Sequence, residues 1–438
     1  MKLACLLNRL LACALAFATL LPLMAHAQLA PSPNAAVQSA AAAQKQPLLD
    51  SLREFVNIET GSRDHEGITQ ATELLGNKLR ALGGQIEFIE PLEATNYRMM
   101  DTPDKIGRMV KATFKGTGTK RILLIAHIDT VYPKGMAAKQ PFRIGTGIDG
   151  DKAYGLGISD DKQGVAMVVH IVAMLRALNF NEYGTLTVLV NGDEEISSPG
   201  SRAELTKAGS EHDAVLSFEA TRTNGDKLSL ATSGIASVEL KVEGRASHAG
   251  AAPERGVNAL YELSHQIMQM RDLSQNDKGL KLNWTVAQSG TNRNVIPAYA
   301  TAQADVRVIR VADYDGIEAT VRQKAKTQLL ADAKVTVNFE RRRPPLEATA
   351  ANRKLAAHAQ TIYAELGRKL EVDDQPEGGG TDAAFAALKT EAPVIERFGL
   401  QGFGGHTADN EYVLLDTIEA RLYLAARLVM DVSRGKGL

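Results

Sequence analysis

The run Leu123–Val131, LLIAHIDTV, limits what this chain can fold into more than any other stretch. Ile122 to Ala126 is a short, uninterrupted apolar run, the pattern of a strand buried in a core. The run stops at His127, and Asp129 follows two residues later. A histidine and a carboxylate at the carboxyl end of a core strand lie where α/β proteins place ligands and metals. An imidazole nitrogen binds borderline-soft divalent cations, and a nearby carboxylate can fix the tautomer that does so. Alone, the pair is equally compatible with a surface histidine ending a strand, so the rest of the chain must decide.

Before that strand come segments of another character. Lys2 and Arg9, the apolar run Leu10–Met24 and Ala25-His26-Ala27 read as a signal peptide cleaved after Ala27, which implies export to the periplasm or beyond. The apolar run is short of the roughly 20 residues of a permanent span. Leu10-Leu11-Ala12-Cys13 resembles a lipoprotein processing box but would leave almost no hydrophobic segment ahead of the cysteine. Both cysteines, Cys5 and Cys13, fall in this leader. The mature chain therefore has no disulfide, thiolate metal site or catalytic thiol, and any metal must be held by His, Asp and Glu. Losing Lys2 and Arg9 takes the basic residues from 50 to 48 against 51 acidic ones, so nothing suggests a nucleic-acid partner. Residues 28–46, rich in Ala, Gln, Ser and Pro, read as a disordered spacer.

The remaining roughly 390 residues exceed one core and predict two domains. Helical periodicity covers Leu48–Asn57 and Thr69–Leu82, and strand-like runs follow at Gln85–Ile89, Met109–Phe114 and Arg121–Ala126. An amphipathic helix over Asp161–Leu178 and strands at Thr185–Val190 and Ala214–Phe218 complete the alternation of an α/β fold, a mixed, mostly parallel sheet flanked by helices. Between Ser233 and Arg343 the order becomes β-α-β-β-α-β, a ferredoxin-like unit read as an inserted domain. The first domain, residues 47–232, then resumes over 344–438, with Pro344-Pro345 as the hinge and a closing helix over Leu415–Val432.

Acidic residues gather where these strands end. Asp160-Asp161 precedes a helix, where an Asp can serve simply as an N-cap. Asp193-Glu194-Glu195 follows one core strand, and three adjacent carboxylates repel unless cations or solvent compensate. Glu219 ends another strand, and His406 sits in the flexible Gly402-Phe403-Gly404-Gly405-His406 loop. In a chain without cysteine, this supply suits two Zn2+ ions bridged by one carboxylate and a water, with one unligated Glu left to accept the water's proton. His170, His212, His265 and His358 match no such pattern and read as helix or surface histidines.

H-I-D-T-V, G-I-S-D-D-K, N-G-D-E-E, L-S-F-E, A-S-H-A-G-A-A-P, N-V-I-P, A-D-V-R, G-G-G-T-D-A and G-F-G-G-H occur in order from His127 to His406. In these blocks the chain resembles the di-zinc aminoacylase/carboxypeptidase metallopeptidase family, and within it the bacterial glutamate carboxypeptidases, from about residue 48 to the C-terminus. The resemblance implies that His127, Asp160, Glu195, Glu219 and His406 bind two zinc ions, with Asp160 bridging them. It implies Glu194 as general base, Asp129 as the partner of His127, and a cis Asp160-Asp161 peptide. It further implies a homodimer through the inserted domain, whose partner subunit delivers His248 to stabilise the oxyanion. Arg307, assisted by Asn294 and the backbone of Gly380, would hold a substrate's α-carboxylate. Lys227 and Arg343 would meet a glutamate side chain. The implied activity is removal of C-terminal glutamate from N-acyl or folate-like substrates. An aminoacylase, deacylase or dipeptidase on the same scaffold differs from it only in the cations around the substrate, and a non-catalytic periplasmic binding protein would lack metal. One departure is an apparent insertion, Gly145-Thr146-Gly147-Ile148, ahead of Asp160.

Overall fold

The computed structural model describes residues 32–221 and 225–438. The expected leader, with Cys5 and Cys13, and the first part of the expected spacer lie outside the described residues.

The Arg121–His127 strand sits inside a six-stranded sheet. Thr185–Gly192 and Ala214–Ser217 flank it, both parallel to it, with His127 opposite Asn191 and Ile125 opposite Ser217. Val394–Ile395 continues the parallel side, while Gly107–Lys115 and Gln85–Ile89 close the other side antiparallel. The sheet is thus mixed and mostly parallel. Its parallel core has a direct consequence. Three neighbouring strands run out at the same edge, so His127, the Asp193-Glu194-Glu195 turn and Glu219 emerge side by side.

Helices cover the sheet because its central strands are apolar on both faces. Gln163–Ala177 and Ile418–Ser433 are buried along almost their whole length, and His65–Ala81 shows one buried stripe. The Ile418–Ser433 helix packs with Leu48, Leu52, Val168 and Tyr363 in the main core.

The spacer reading must be corrected over its described part. Ala35–Val56 is one continuous helix, capped by the Asn34 side chain on the Val37 amide. Low hydrophobicity misled there: alanine is the strongest helix former, and Val37 and Ala41, four residues apart, suffice to bury one face. The Asn34 amide also donates to the Tyr423 hydroxyl at 2.8 Å, tying the helix start to the last helix.

A second, four-stranded antiparallel sheet takes the order Lys281–Ser289, Tyr299–Val308, Gly234–Glu243, Lys334–Arg343. With helices Ala259–Met270 and Asp313–Lys324 it realises the expected β-α-β-β-α-β order. Val238, Leu282, Val306, Ile317 and Val321 form a core of its own. Short strands at Arg143–Ile144, Lys152–Tyr154, Gly402–Phe403 and Tyr412–Leu414 make a further small sheet. Two- and three-residue strands carry no readable period, which is why the sequence did not announce them. The Gly145-Ile148 insertion is the turn between the first two, and Ile148 at its tip is 97% exposed. Among the described residues no helix is long and apolar enough to cross a membrane.

Candidate dinuclear metal site

At the carboxyl edge of the main sheet, His127 is 2% exposed and points Nε2 at Asp160 Oδ1 and Glu219 Oε1, 3.3 Å from each. His406, 52% exposed on its loop, points Nε2 at Asp160 Oδ2 and Glu195 Oε2, 3.2 Å from each. Asp160 therefore faces one imidazole with each oxygen. The donor atoms of His127, Asp160 and Glu219 lie within 4.8 Å of one another, as do those of Asp160, Glu195 and His406. All five expected ligands converge, in two groups sharing Asp160. The Asp160-Asp161 peptide is cis, as the resemblance implied. No side-chain cap forms there, so Asp160 is not simply the N-cap of the following helix.

A second layer of hydrogen bonds holds these groups. Asp129, fully buried, lies 3.4 Å from His127 Nδ1 and accepts from the Glu194 and Glu195 amides at 3.0 and 3.1 Å. It thereby fixes both the histidine strand and the neighbouring turn. Ser62 donates to the same carboxylate at 2.7 Å. Glu411 accepts from the amides of Gly157, Ser159 and Asp160 and from the Tyr132 hydroxyl, gripping the backbone that presents Asp160. Glu194 meets the Arg343 guanidinium at 2.9 Å, and Arg343 also pairs with Asp382 at 2.8 Å and donates to the Glu194 carbonyl.

Electrostatics reflect crowding of acids in a dry place. Burial pushes Glu194 well above the usual carboxylate range, with Arg343 and His127 pulling it back. Burial lifts Glu195 to about 7 and Asp161 well above its ordinary value. His406 is raised to about 10 by Asp160 and Glu195. Burial disfavours charge on His127, but Asp129, Asp160 and Glu219 outweigh it and hold its pKa well above normal. Such a cluster needs positive charge. One buried atom marks the need directly: Glu195 Oε1 has no hydrogen-bond partner. Two imidazoles and three carboxylates in two overlapping groups fit a pair of divalent ions of zinc-like preference.

The model of peptidase family M20/M25/M40 matches residues 123–431. The chain belongs to that family. It is 44% identical to Carboxypeptidase G2 of Pseudomonas sp. (strain RS-16) over 397 residues, 90% of this chain and 92% of that one. The fold is similar to that of aminopeptidase PepT from Bacillus cereus, with a TM-score of 0.70 and 19% identity over 89% of this chain and 98% of that one. It is also similar to a dinuclear metal-binding M20 peptidase of Bacillus subtilis, with a TM-score of 0.64 and 17% identity over 90% and 99% of the two chains. Within the family this chain is a metallocarboxypeptidase, a hydrolase.

The expected substrate residues distribute unevenly. Arg307, Arg343 and Gly380 line one cavity of about 260 Å3 together with Asp160, Glu194 and Glu219. A side chain at Gly380 would come within 2.7 Å of Arg343, so only glycine fits. Arg307 rests on Asp305 through two hydrogen bonds and donates to the Gly378 carbonyl. Lys227 lies on the Asp226–Ser229 strand, bound to Asp373 and Glu377. His248, on the short strand Ser247–His248, and Asn294, in the turn just before its partner strand Val295–Ile296, are exposed and outside this cavity, and the Ala249 amide donates to the Asn294 carbonyl. The amides of Gly250 and Ala251 donate to His248 Nδ1, which leaves the proton of a neutral ring on Nε2. None of the four insertion residues lines the cavity.

Sequence reasoning passed over Asp382, Glu411 and Arg397. Asp382 stood inside a quoted motif but carried no role, and nothing local distinguishes Glu411 or Arg397. Of the histidines given no role, His170 lies on the Gln163–Ala177 helix, as expected, with its side chain buried, and His212 is buried rather than on the surface. His170 bonds Gln44 and Ser51, and His212 bonds the Ala208 carbonyl and Thr187.

Proposed function

We propose that the chain is a zinc-dependent glutamate carboxypeptidase that hydrolyses the amide before a C-terminal glutamate in N-acyl and folate-like substrates. The observation that carries this reading is one cavity lined by Asp160, Glu194, Glu195, Glu219 and His406 and also by Arg307 and Arg343. A hydrolytic centre and carboxylate-binding cations thus share a space of amino-acid size. The 44% identity to Carboxypeptidase G2 supports the same substrate class.

In this reading His127, Asp160 and Glu219 would hold one ion, and Asp160, Glu195 and His406 the other, Asp160 belonging to both groups. Bound there, two Zn2+ would supply Lewis acidity and make an attacking water more acidic. Glu194 would take the proton of the water that attacks the scissile carbonyl and pass it to the departing amide nitrogen, releasing free glutamate. Burial suits Glu194 to carrying a proton between the two events. Asp129 orients His127. His248 Nε2–H, delivered from a partner subunit, donates to the developing oxyanion. Arg307, Asn294 and the Gly380 backbone read the α-carboxylate, and Lys227 and Arg343 supply charge for the side chain. The acyl group extends into a neighbouring cleft of about 490 Å3 that shares Glu195 and is walled by Tyr132, Pro133 and Ile196.

Residues 233–343 form the inserted dimerisation domain of this reading, between the catalytic parts 47–232 and 344–438. Leu260, Tyr261 and Met268 on its Ala259–Met270 helix are exposed, as is Val286 on its edge strand, Lys281–Ser289. An apolar face with an open strand edge supports pairing of two copies. The protein is exported, in keeping with the leader.

A hydrolysis panel of N-acyl amino acids varied at the C-terminal residue, run with metal analysis, tests the proposal. Two zinc ions per chain and preference for glutamate are expected. Preference for another residue would instead favour an aminoacylase, deacylase or dipeptidase, and inert, metal-free protein would overturn catalysis altogether.

A further inference from the structure

Arg397 stands apart among the basic residues around the cavity. Its side chain is only 12% exposed, yet Nε and Nη1 are buried and meet no hydrogen-bond acceptor. Buried guanidinium N–H groups are ordinarily satisfied, because leaving them unpaired forfeits their solvation. The backbone at Arg397 has φ +70°, a left-handed conformation that side chains rarely adopt. It is held there from both sides: its amide donates to Glu396 Oε1 at 3.0 Å, and its carbonyl accepts from Arg421 at 3.3 Å. Strain kept in place by surrounding bonds, at a residue lining a reactive cavity, calls for a function.

The remaining guanidinium nitrogen, Nη2, pairs with Glu377 Oε2 at 3.2 Å, while Glu377 Oε1 takes Lys227 Nζ at 2.9 Å. One carboxylate therefore sits between a lysine and an arginine. Glu377 belongs to the Pro376-Glu377-Gly378-Gly379-Gly380 turn, whose Gly378 has φ +101° and whose Gly378 carbonyl occupies Arg307. Two successive residues of this turn thus cap the cations otherwise available to a substrate. Arg343 also has a buried Nε without an acceptor, but it is differently placed, since both its terminal nitrogens are engaged by Glu194 and Asp382.

We infer that Arg397 reads the side-chain carboxylate of the substrate's C-terminal glutamate, and that Glu377 fills that place in the resting enzyme. The inference rests on the glutamate carboxypeptidase reading and adds a specificity residue to it. The incoming carboxylate displaces Glu377 from beside Lys227 and Nη2 of Arg397 and seats closer to the guanidinium, meeting a donor that Glu377 leaves without a partner, while the glycine turn lets Glu377 withdraw.

The test compares kcat/KM for N-benzoyl-glutamate and N-benzoyl-glutamine, which match in shape and differ in side-chain charge. Arg397→Ala should lower the glutamate-to-glutamine ratio on the order of 100-fold, chiefly through KM. Arg397→Lys should restore part of it. Glu377→Gln should lower KM for the glutamate substrate several-fold, because nothing charged need be displaced. Selective wild type with an unchanged ratio in Arg397→Ala overturns this inference and leaves the broader reading intact. Equal losses on both substrates overturn it too, marking Arg397 as structural, and Arg397→Lys supplies the same comparison if the alanine variant does not fold. A wild type indifferent to the side-chain charge overturns both.

Discussion

His127 and His406 face opposite oxygens of the same aspartate, yet the fold holds them in unlike ways. His127 ends a central strand, is almost wholly buried, and has its Nδ1 side fixed by Asp129. His406 sits on a loop at φ +65°, half open to solvent, and only its contacts to Asp160 and Glu195 orient its ring among the described residues. The first belongs to the rigid edge of the sheet; the second depends on the loop being folded over. Arg397 and the Glu377 turn belong with the second.

Substitutions can break or sharpen that contrast. The largest effect is expected at Glu194 on the strand side. Glu194→Ala should lower kcat by up to about 10,000-fold while two metal ions remain bound, checked by kinetics with elemental analysis. Next, removing each histidine separates the halves. His127→Ala should cost metal and also lower Tm, because Asp160, Asp161 and Glu219 stay buried without it. His406→Ala should cost metal with a smaller loss of Tm, since a half-exposed loop side chain is removed and solvent can reach the carboxylates it leaves. Equal Tm losses would erase the distinction drawn here. Smaller effects follow from the residues that orient others. Asp129→Asn on the strand side and Glu411→Gln on the loop side should each weaken metal affinity about 10- to 100-fold by titration. Glu411→Gln should in addition raise protease sensitivity near residue 406, and Asp129→Asn should not.

A control away from both halves gives the smallest effect. Burial holds His170 near a pKa of about 4 in the folded chain, against about 6.5 when unfolded. Above 6.5 both states are neutral there and stability is unaffected. As pH falls below 6.5 the unfolded chain gains a proton that the folded chain refuses, so stability drops, by about 1.4 kcal/mol at pH 5.5, until loss is complete below 4. Denaturant titrations of His170→Gln should lack this component.

The same contrast explains what the sequence could disclose. His127, Glu194, Glu195 and Glu219 adjoin apolar runs, so strand periodicity locates them and parallel pairing brings them together. Glu411 and Arg397 are set by loop backbone, where no period exists and a lone charged residue looks like any other. Arg343 was legible as a cation near a substrate, but its embrace by Glu194 and Asp382 depends on how two distant strand ends meet. The Ala35–Val56 helix shows the opposite failure, because composition alone concealed two buried side chains.

The turn bearing Ile148 protrudes into solvent, while its roots pair through Lys152–Tyr154 with Tyr412–Leu414, the strand directly following Glu411. Since loop closure depends only weakly on length, that tip can accept extra residues or a fluorophore at little cost. Cys5 and Cys13 are the only thiols of the sequence, so with both replaced by serine a single engineered cysteine at the tip would label uniquely and give an optical probe beside the His406 loop.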